Sequence, residues 1–162
     1  MRLMTYSSPF GHGVIVAADN RVRHHLWGAA SADLLREAQE LVPGAVLDIL
    51  PPDLSAAIKD YFAGFATDFN CWGIDWSGRS EFSIKVYRAV RSLEWGETAS
   101  YSEIAGSIGH PQAARAVGSA LGDNPVPLFV PCHRVLAKAS RGGWSGPPGW
   151  KSRLLKLEGV EI

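Results

Sequence analysis

The sequence predicts an α+β chain in two parts. Residues 1–78 read as a small N-terminal α/β domain with an antiparallel sheet, and residues 79–162 as a mostly helical domain. Three observations carry this. Two β-prone runs flank the turn-like pair Asp19-Asn20. Apolar residues recur at helical spacing from Ser80 onward. Two short helical patterns then surround Gly109-His110-Pro111, the outline of a helix-turn-helix.

In the first part, Gly13–Ala18 and Val22–Trp27 form the expected hairpin. Ser31 is positioned to cap a helix through Leu34, Leu35 and Leu41, and Asp53 to cap another carrying Leu54, Ile58, Tyr61 and Phe65. No ligand-spaced set accompanies His24, His25 or Cys71, so this part reads as structural support. The composition turns polar around Asp75-Trp76-Ser77-Gly78, which marks the boundary.

In the second part, Phe82, Val86, Val90 and Leu93 give an amphipathic helix from about Ser80 to Leu93, stopped by Trp95-Gly96. Ser100-Tyr101-Ser102-Glu103 has the form of a capping box starting a short helix through Ile108. Pro111 suits the first turn of the next helix, Gln112 to Leu121. That helix is rich in small residues (Ala113, Ala114, Ala116, Gly118) around one long cation, Arg115. Close approach to DNA and tight helix packing both explain such a composition. Leu128-Phe129-Val130 should be buried as a strand or extended segment, delivering Cys132 to the edge of the core. Pro125, Pro127 and Pro131 stiffen the approach.

With 46% apolar and 20% charged residues, the chain is neither disordered nor fibrous. No apolar stretch is long enough for a membrane span, so no membrane partner is expected. The N-terminus lacks the apolar run of a secretion signal, and two cysteines are too few for a disulfide framework. A cytoplasmic, nucleoid-associated home follows as an expectation. Net charge is zero, but residues 1–78 carry 5 basic and 9 acidic side chains against 11 and 7 in residues 79–162. The basic second half suits a polyanion, or merely a solvated surface.

Cys132 is followed by His133 and Arg134, either of which could stabilise a thiolate. The longer string Pro131-Cys132-His133-Arg134-Val135 resembles the active-site signature of the O6-alkylguanine-DNA alkyltransferases. The resemblance spans most of the C-terminal half: Ser100-Tyr101, Ala114 to Gly118, Asn124-Pro125, Gly143, Ser145-Gly146, Lys151, Leu154-Leu155 and Leu157-Glu158-Gly159. The family has one residue more between the cysteine and the final glutamate.

The resemblance implies roles. Cys132 accepts the alkyl group, and His133, oriented by Glu158, takes the thiol proton through a water. Tyr101 assists the departing guanine, and Asn124 orients the segment near the thiol. The target base is flipped out of double-stranded DNA that carries O6-alkylguanine and is bound through the minor groove, with Arg115 filling the vacated place. Ser102, Gln112, Ala114, Ala116, Gly118 and Arg134 complete the expected DNA-contact set. Pro131, Trp144, Ser145 and Gly146 wall the expected alkyl pocket. The product thioether cannot be cleaved with the groups present, so one turnover is expected. No cofactor is required, and no metal is expected, because the N-terminal Cys/His zinc site of human-type members has no counterpart. A monomer is expected, and cooperative binding along DNA is compatible with it.

Two departures stand out. Trp144 occupies a tyrosine position of the family and Pro147 a glycine position, in a loop running to Trp150. A preference for small adducts and an unchanged range with different packing are both open. Glu94-Trp95-Gly96 replaces a commoner Pro-aromatic-Gly, which should matter only for the turn. Among competing functions, a non-reacting alkyltransferase-like damage sensor commonly replaces the cysteine, which is present here. A Cys-His-Glu hydrolase does not suit adjacent Cys132 and His133. A lone helix-turn-helix regulator leaves the cysteine string unexplained.

Overall fold

A computed structural model describes residues 1–137 and 143–161. The architecture is mixed α and β, and the chain divides into two compact units, Met1–Asp75 and Trp76–Ile162. That division falls three residues before the boundary read from composition.

The first unit is built on β1 (Arg2–Ser8), β2 (Gly11–Ala18), β3 (Arg21–Gly28) and the short β4 (Val46–Asp48) and β5 (Gly73–Ile74), in the order β4-β1-β2-β3-β5. The expected hairpin is β2–β3. Its turn residues Asp19 and Asn20 both adopt positive φ, 48° and 60°, which matches the right-handed strand twist of a two-residue hairpin. The sheet is not purely antiparallel as expected: β4 pairs parallel to β1 and β5 parallel to β3. The two edge strands are too short to show alternation, which is why periodicity does not reveal them. Leu3, Val14 and Val16 pack on one sheet face against Leu34 and Ala38 of α1 (Ser31–Leu41). On the other face the Tyr6 ring lies over Gly13, where a Cβ would overlap it. Its hydroxyl pairs with His25 Nε2 at 2.8 Å. Helix α2 (Pro52–Phe62) joins this aromatic cluster through Phe62. Neither expected cap holds. Ala30 precedes α1 and Pro51 precedes α2, while Asp53 lies inside the first turn, where its charge suits the helix dipole.

In the second unit, α3 (Glu81–Arg91) is capped by the Ser80 hydroxyl, which accepts from the Ser83 amide. Strand β6 (Ala99–Ser100) leads into α4 (Tyr101–Ser107), and the Ser100/Glu103 capping box forms in both directions, at 3.1 and 2.6 Å. Helix α5 is Ala114–Gly122, so Pro111 and Gln112 belong to the preceding turn rather than to the helix as expected. Val86, Tyr87, Val90, Ile104, Ala105, Val117 and Leu121 close the core between α3, α4 and α5. The buried Tyr87 hydroxyl donates to the Ala120 carbonyl at 2.9 Å. Leu128 to Val130 are buried but are not a strand. Leu128 takes φ 77° in a tight turn bridged by Pro127 and Val130. Prolines at 125 and 127 lack the amides a ladder needs, so the segment folds back on itself. A 3-10 turn (Cys132–Arg134), β7 (Val135–Leu136), which pairs parallel to β6, and α6 (Trp150–Leu157) complete the unit.

Ser100→Ala removes the acceptor of the Glu103 amide and should lower stability by about 1 kcal/mol, a Tm loss of a few degrees. An unchanged melting curve would mean that the capping box adds nothing to α4.

Candidate active site

Cys132 opens the 3-10 turn and is half-buried on a pocket wall. Its amide donates to the Val130 carbonyl at 2.7 Å. Asn124 reaches the same carbonyl through Nδ2 at 2.9 Å and accepts the Val126 amide at 3.1 Å, so one side chain fixes the turn before the cysteine. Burial pushes the thiol up. A hydrogen bond from Asn124, the Lys151 charge and the amides of Cys132 and His133 pull the other way without cancelling it. The resting group is therefore a thiol.

His133 points inward. It is 0% exposed, with Arg134 at 6%, Lys151 at 5% and Glu158 at 4%, and these groups form a charged cluster inside the unit. His133 Nε2 lies 2.7 Å from Glu158 Oε1. Arg134 donates to both carboxylate oxygens, Nε to Oε2 at 2.8 Å and Nη2 to Oε1 at 3.1 Å, and Nη1 donates to the Leu93 carbonyl at 2.6 Å. The Gly96 amide donates to Oε2 at 3.3 Å. Burial pushes the Glu158 carboxyl up, but His133 and Arg134 outweigh it and hold it at about 2. Burial lowers the His133 imidazole more than Glu158 raises it. An ionised carboxylate facing a neutral ring fixes the tautomer: Nε2 carries the proton and donates.

The pocket beside Cys132 has a volume of about 660 Å³. Tyr101, Arg115, Gly118, Trp144 and Ser145 line it. The Tyr101 ring packs on Gly118, where a Cβ would sit 3.7 Å from it, so the glycine gives the ring room. The Tyr101 hydroxyl donates to the Gly143 carbonyl at 3.5 Å, a weak bond. Lys151 Nζ donates to that carbonyl at 3.1 Å and to the Val135 carbonyl at 2.9 Å. Trp144 closes its loop, with its indole N–H donating to the Pro147 carbonyl at 3.0 Å and its ring seated on Gly146.

The fold thus brings Cys132, Tyr101, Ala114, Arg115, Gly118, Ser102, Trp144 and Ser145 to one pocket. Arg115, Ala116, Ser102 and Gln112 are exposed, while Pro131 is buried behind the cysteine. Arg134 departs from the expectation of a DNA contact. Its guanidinium is buried and committed to Glu158 and Leu93, because a carboxylate brought indoors needs a cation. Sequence reading missed Gly96 and Lys151 as parts of this cluster. Gly96 has φ 75°, its hypothetical Cβ lies 3.0 Å from the Glu158 carbonyl, and its amide is a carboxylate ligand. The Trp95-Gly96 stop signal could have flagged it. Among the described residues no group of three or more His, Cys, Asp or Glu could hold a metal, and no helix is long and apolar enough to cross a membrane.

Residues 81–160 match the family model described as 6-O-methylguanine DNA methyltransferase, DNA binding domain. A methylated-DNA–protein-cysteine methyltransferase of Metallosphaera sedula is 36% identical over 162 residues, covering 100% of this chain and 96% of the relative. The chain belongs to the methylated-DNA–protein-cysteine methyltransferase family. The inducible member of Bacillus subtilis is 38% identical over 131 residues, covering 78% of this chain and 72% of its own. Among solved structures, Mycobacterium tuberculosis OGT in complex with DNA superposes with a TM-score of 0.81 at 32% identity, covering 98% of this chain and 92% of that one. In a family whose name places the accepted group on a cysteine, Cys132 is the one cysteine on the pocket wall; Cys71 is exposed in the other unit.

Two measurements follow from the electrostatics. Iodoacetamide should label Cys132 slowly at neutral pH, with the rate still climbing past pH 9, because burial holds the thiol protonated. A plateau below pH 8 would show an activated resting thiolate instead. Glu158 is lowered from 4.5 to about 2, so its stabilisation is complete above pH 4.5 and is lost as pH falls through about 2. The shift corresponds to roughly 3 kcal/mol. Denaturant unfolding of wild type and Glu158→Gln should show a gap that is flat from pH 7 to 5 and narrows below. A gap that stays constant down to pH 2.5 would contradict the shift.

Proposed function

We propose that this chain repairs alkylated DNA by taking the alkyl group of O6-alkylguanine onto Cys132, once and irreversibly. The observation that supports it best is the thiol on the wall of a base-sized pocket, followed directly by a buried His133–Glu158 pair.

The Cys132 sulfur attacks the alkyl carbon, and the carbon–O6 bond breaks with its electron pair staying on guanine. Because Nε2 is committed to Glu158, the thiol proton leaves through Nδ1 of His133 by way of a bridging water. Tyr101, which gives up only a 3.5 Å bond to do so, turns its hydroxyl to the departing guanine and neutralises the developing anion. The proton lost from sulfur is the one the guanine gains overall. Asn124 holds the cysteine turn in place, and Arg134 keeps Glu158 ionised.

The partner is double-stranded DNA, and α4, the turn at 108–113 and α5 act as a helix-turn-helix. The Ala/Gly surface of α5 suits the narrow minor groove. Reaction requires the base to leave the stack and enter the pocket, with exposed Arg115 taking its place. The bound Trp144 indole sets the room left for the adduct, which favours methyl over benzyl.

The decisive experiment mixes the full chain with a duplex holding one O6-methylguanine and reads intact mass and the peptide map. One added methyl on Cys132, absent in Cys132→Ala, is expected. Tight lesion binding with no mass change would make the protein a damage sensor instead. Tyr101→Phe should slow transfer about 10- to 100-fold at unchanged stoichiometry. The methyl-to-benzyl rate ratio should fall in Trp144→Tyr; a ratio indifferent to that change would free the loop from any role in adduct size.

A further inference from the structure

Lys151 is an anomaly among the buried charges. Arg134 and Glu158 pair with each other, whereas Lys151, 5% exposed, has only the carbonyls of Val135 and Gly143 and no carboxylate partner among the described residues. An ammonium brought indoors without an anion is costly, so its position calls for one. The two carbonyls say where that anion forms. Val135 directly follows the turn that holds Cys132, and Gly143 shares the pocket wall with the thiol.

The Gly143 carbonyl also accepts from Tyr101. A carbonyl oxygen has two lone pairs, and here one goes to each donor. When Tyr101 turns toward a departing base, Lys151 keeps that carbonyl satisfied, so the hydroxyl leaves without stranding a buried acceptor.

We propose that Lys151 is a positioning residue for alkyl transfer: it ties the segment leaving Cys132 to the loop on which Tyr101 rests, and it supplies the positive charge that faces the thiolate. The proposal builds on the repair reading above. Attack begins with a neutral thiol and passes through a thiolate. The Lys151 charge stabilises that species and not the thioether that follows. Mutual influence is visible from both sides: the lysine charge opposes the burial that pushes the thiol up, and the thiolate opposes the burial that pushes the lysine down.

The test uses the full chain in a Cys71→Ser background, comparing Lys151→Met and Lys151→Arg with the parent. The first readout is the pH profile of iodoacetamide labelling at Cys132, and the second is single-turnover methyl transfer at pH 7.5 and pH 9. Lys151→Met should move the labelling profile upward by about one pH unit and slow transfer at pH 7.5 about tenfold, since one unit is tenfold in thiolate. The deficit should shrink at pH 9, and Lys151→Arg should keep the parental profile. A folded Lys151→Met protein with an unshifted profile overturns the proposal, because a loop clamp alone would not hold the thiolate. Should the methionine variant fail to fold, NMR titration of the Lys151 ammonium in unsubstituted protein before and after iodoacetamide capping of Cys132 reads the same coupling. Its titration should move to lower pH on capping, and an unmoved titration overturns the proposal equally. If the shifts hold while the parent accepts no methyl from DNA, the charge role of Lys151 stands and the repair reading falls.

Discussion

The second unit is organised around the carboxylate of Glu158. Two buried partners, His133 and Arg134, and the amide of Gly96 converge on its two oxygens, and the Arg134 guanidinium continues to the Leu93 carbonyl. One carboxylate therefore joins the end of α6, the turn after α3 and the 3-10 turn bearing Cys132. Such a knot stabilises only while complete. Removing one partner of a buried pair typically costs 3–5 kcal/mol through the charge left behind. The same network orients the imidazole, so the geometry of the site and the integrity of the unit rest on the same bonds.

The 3-10 turn explains how adjacent residues serve opposite environments. Consecutive side chains in such a turn diverge by about 120°. Cys132 therefore meets the pocket while His133 enters the core and Arg134 spreads along the carboxylate. A strand would have put Cys132 and Arg134 on one face, and the guanidinium would then have competed for the pocket. Leu128, held at φ 77° and buried, helps to place that turn, because the chain reverses tightly before it enters the 3-10 geometry.

Much of this was legible in the sequence where the signal is local. The hairpin at Asp19-Asn20, the capping box at Ser100 and Glu103 and the amphipathic α3 all depend on residues a few positions apart. The pocket set was legible through the string around Cys132 and its order along the chain. What sequence reasoning missed is nonlocal. The parallel edge strands β4 and β5 are three and two residues long, too short to alternate. The strand expected at Leu128–Val130 failed because apolar run length cannot distinguish a buried turn from a ladder. Arg134 was read by its charge as a surface contact, and only the fold reveals a carboxylate 24 positions away at 2.8 Å. Lys151 was similarly one anchor among many until its carbonyl partners came together.

A thiol held protonated at rest looks ill suited to a nucleophile, yet it fits an acceptor used once. A permanent thiolate would be consumed by any passing electrophile, and the thioether formed cannot be returned. Burial supplies the protection, and its cost is met only when a base occupies the pocket. The carbon–O6 bond then begins to break, the thiol proton passes to an imidazole already held in the right tautomer, and Lys151 faces the charge left on sulfur. Each stabilising group is in place beforehand, bonded to backbone or to its neighbour, so little reorganisation accompanies the charge movement. Selectivity for the lesion therefore resides less in a strong nucleophile than in the coincidence of nucleophile, proton acceptor and proton donor around a single base.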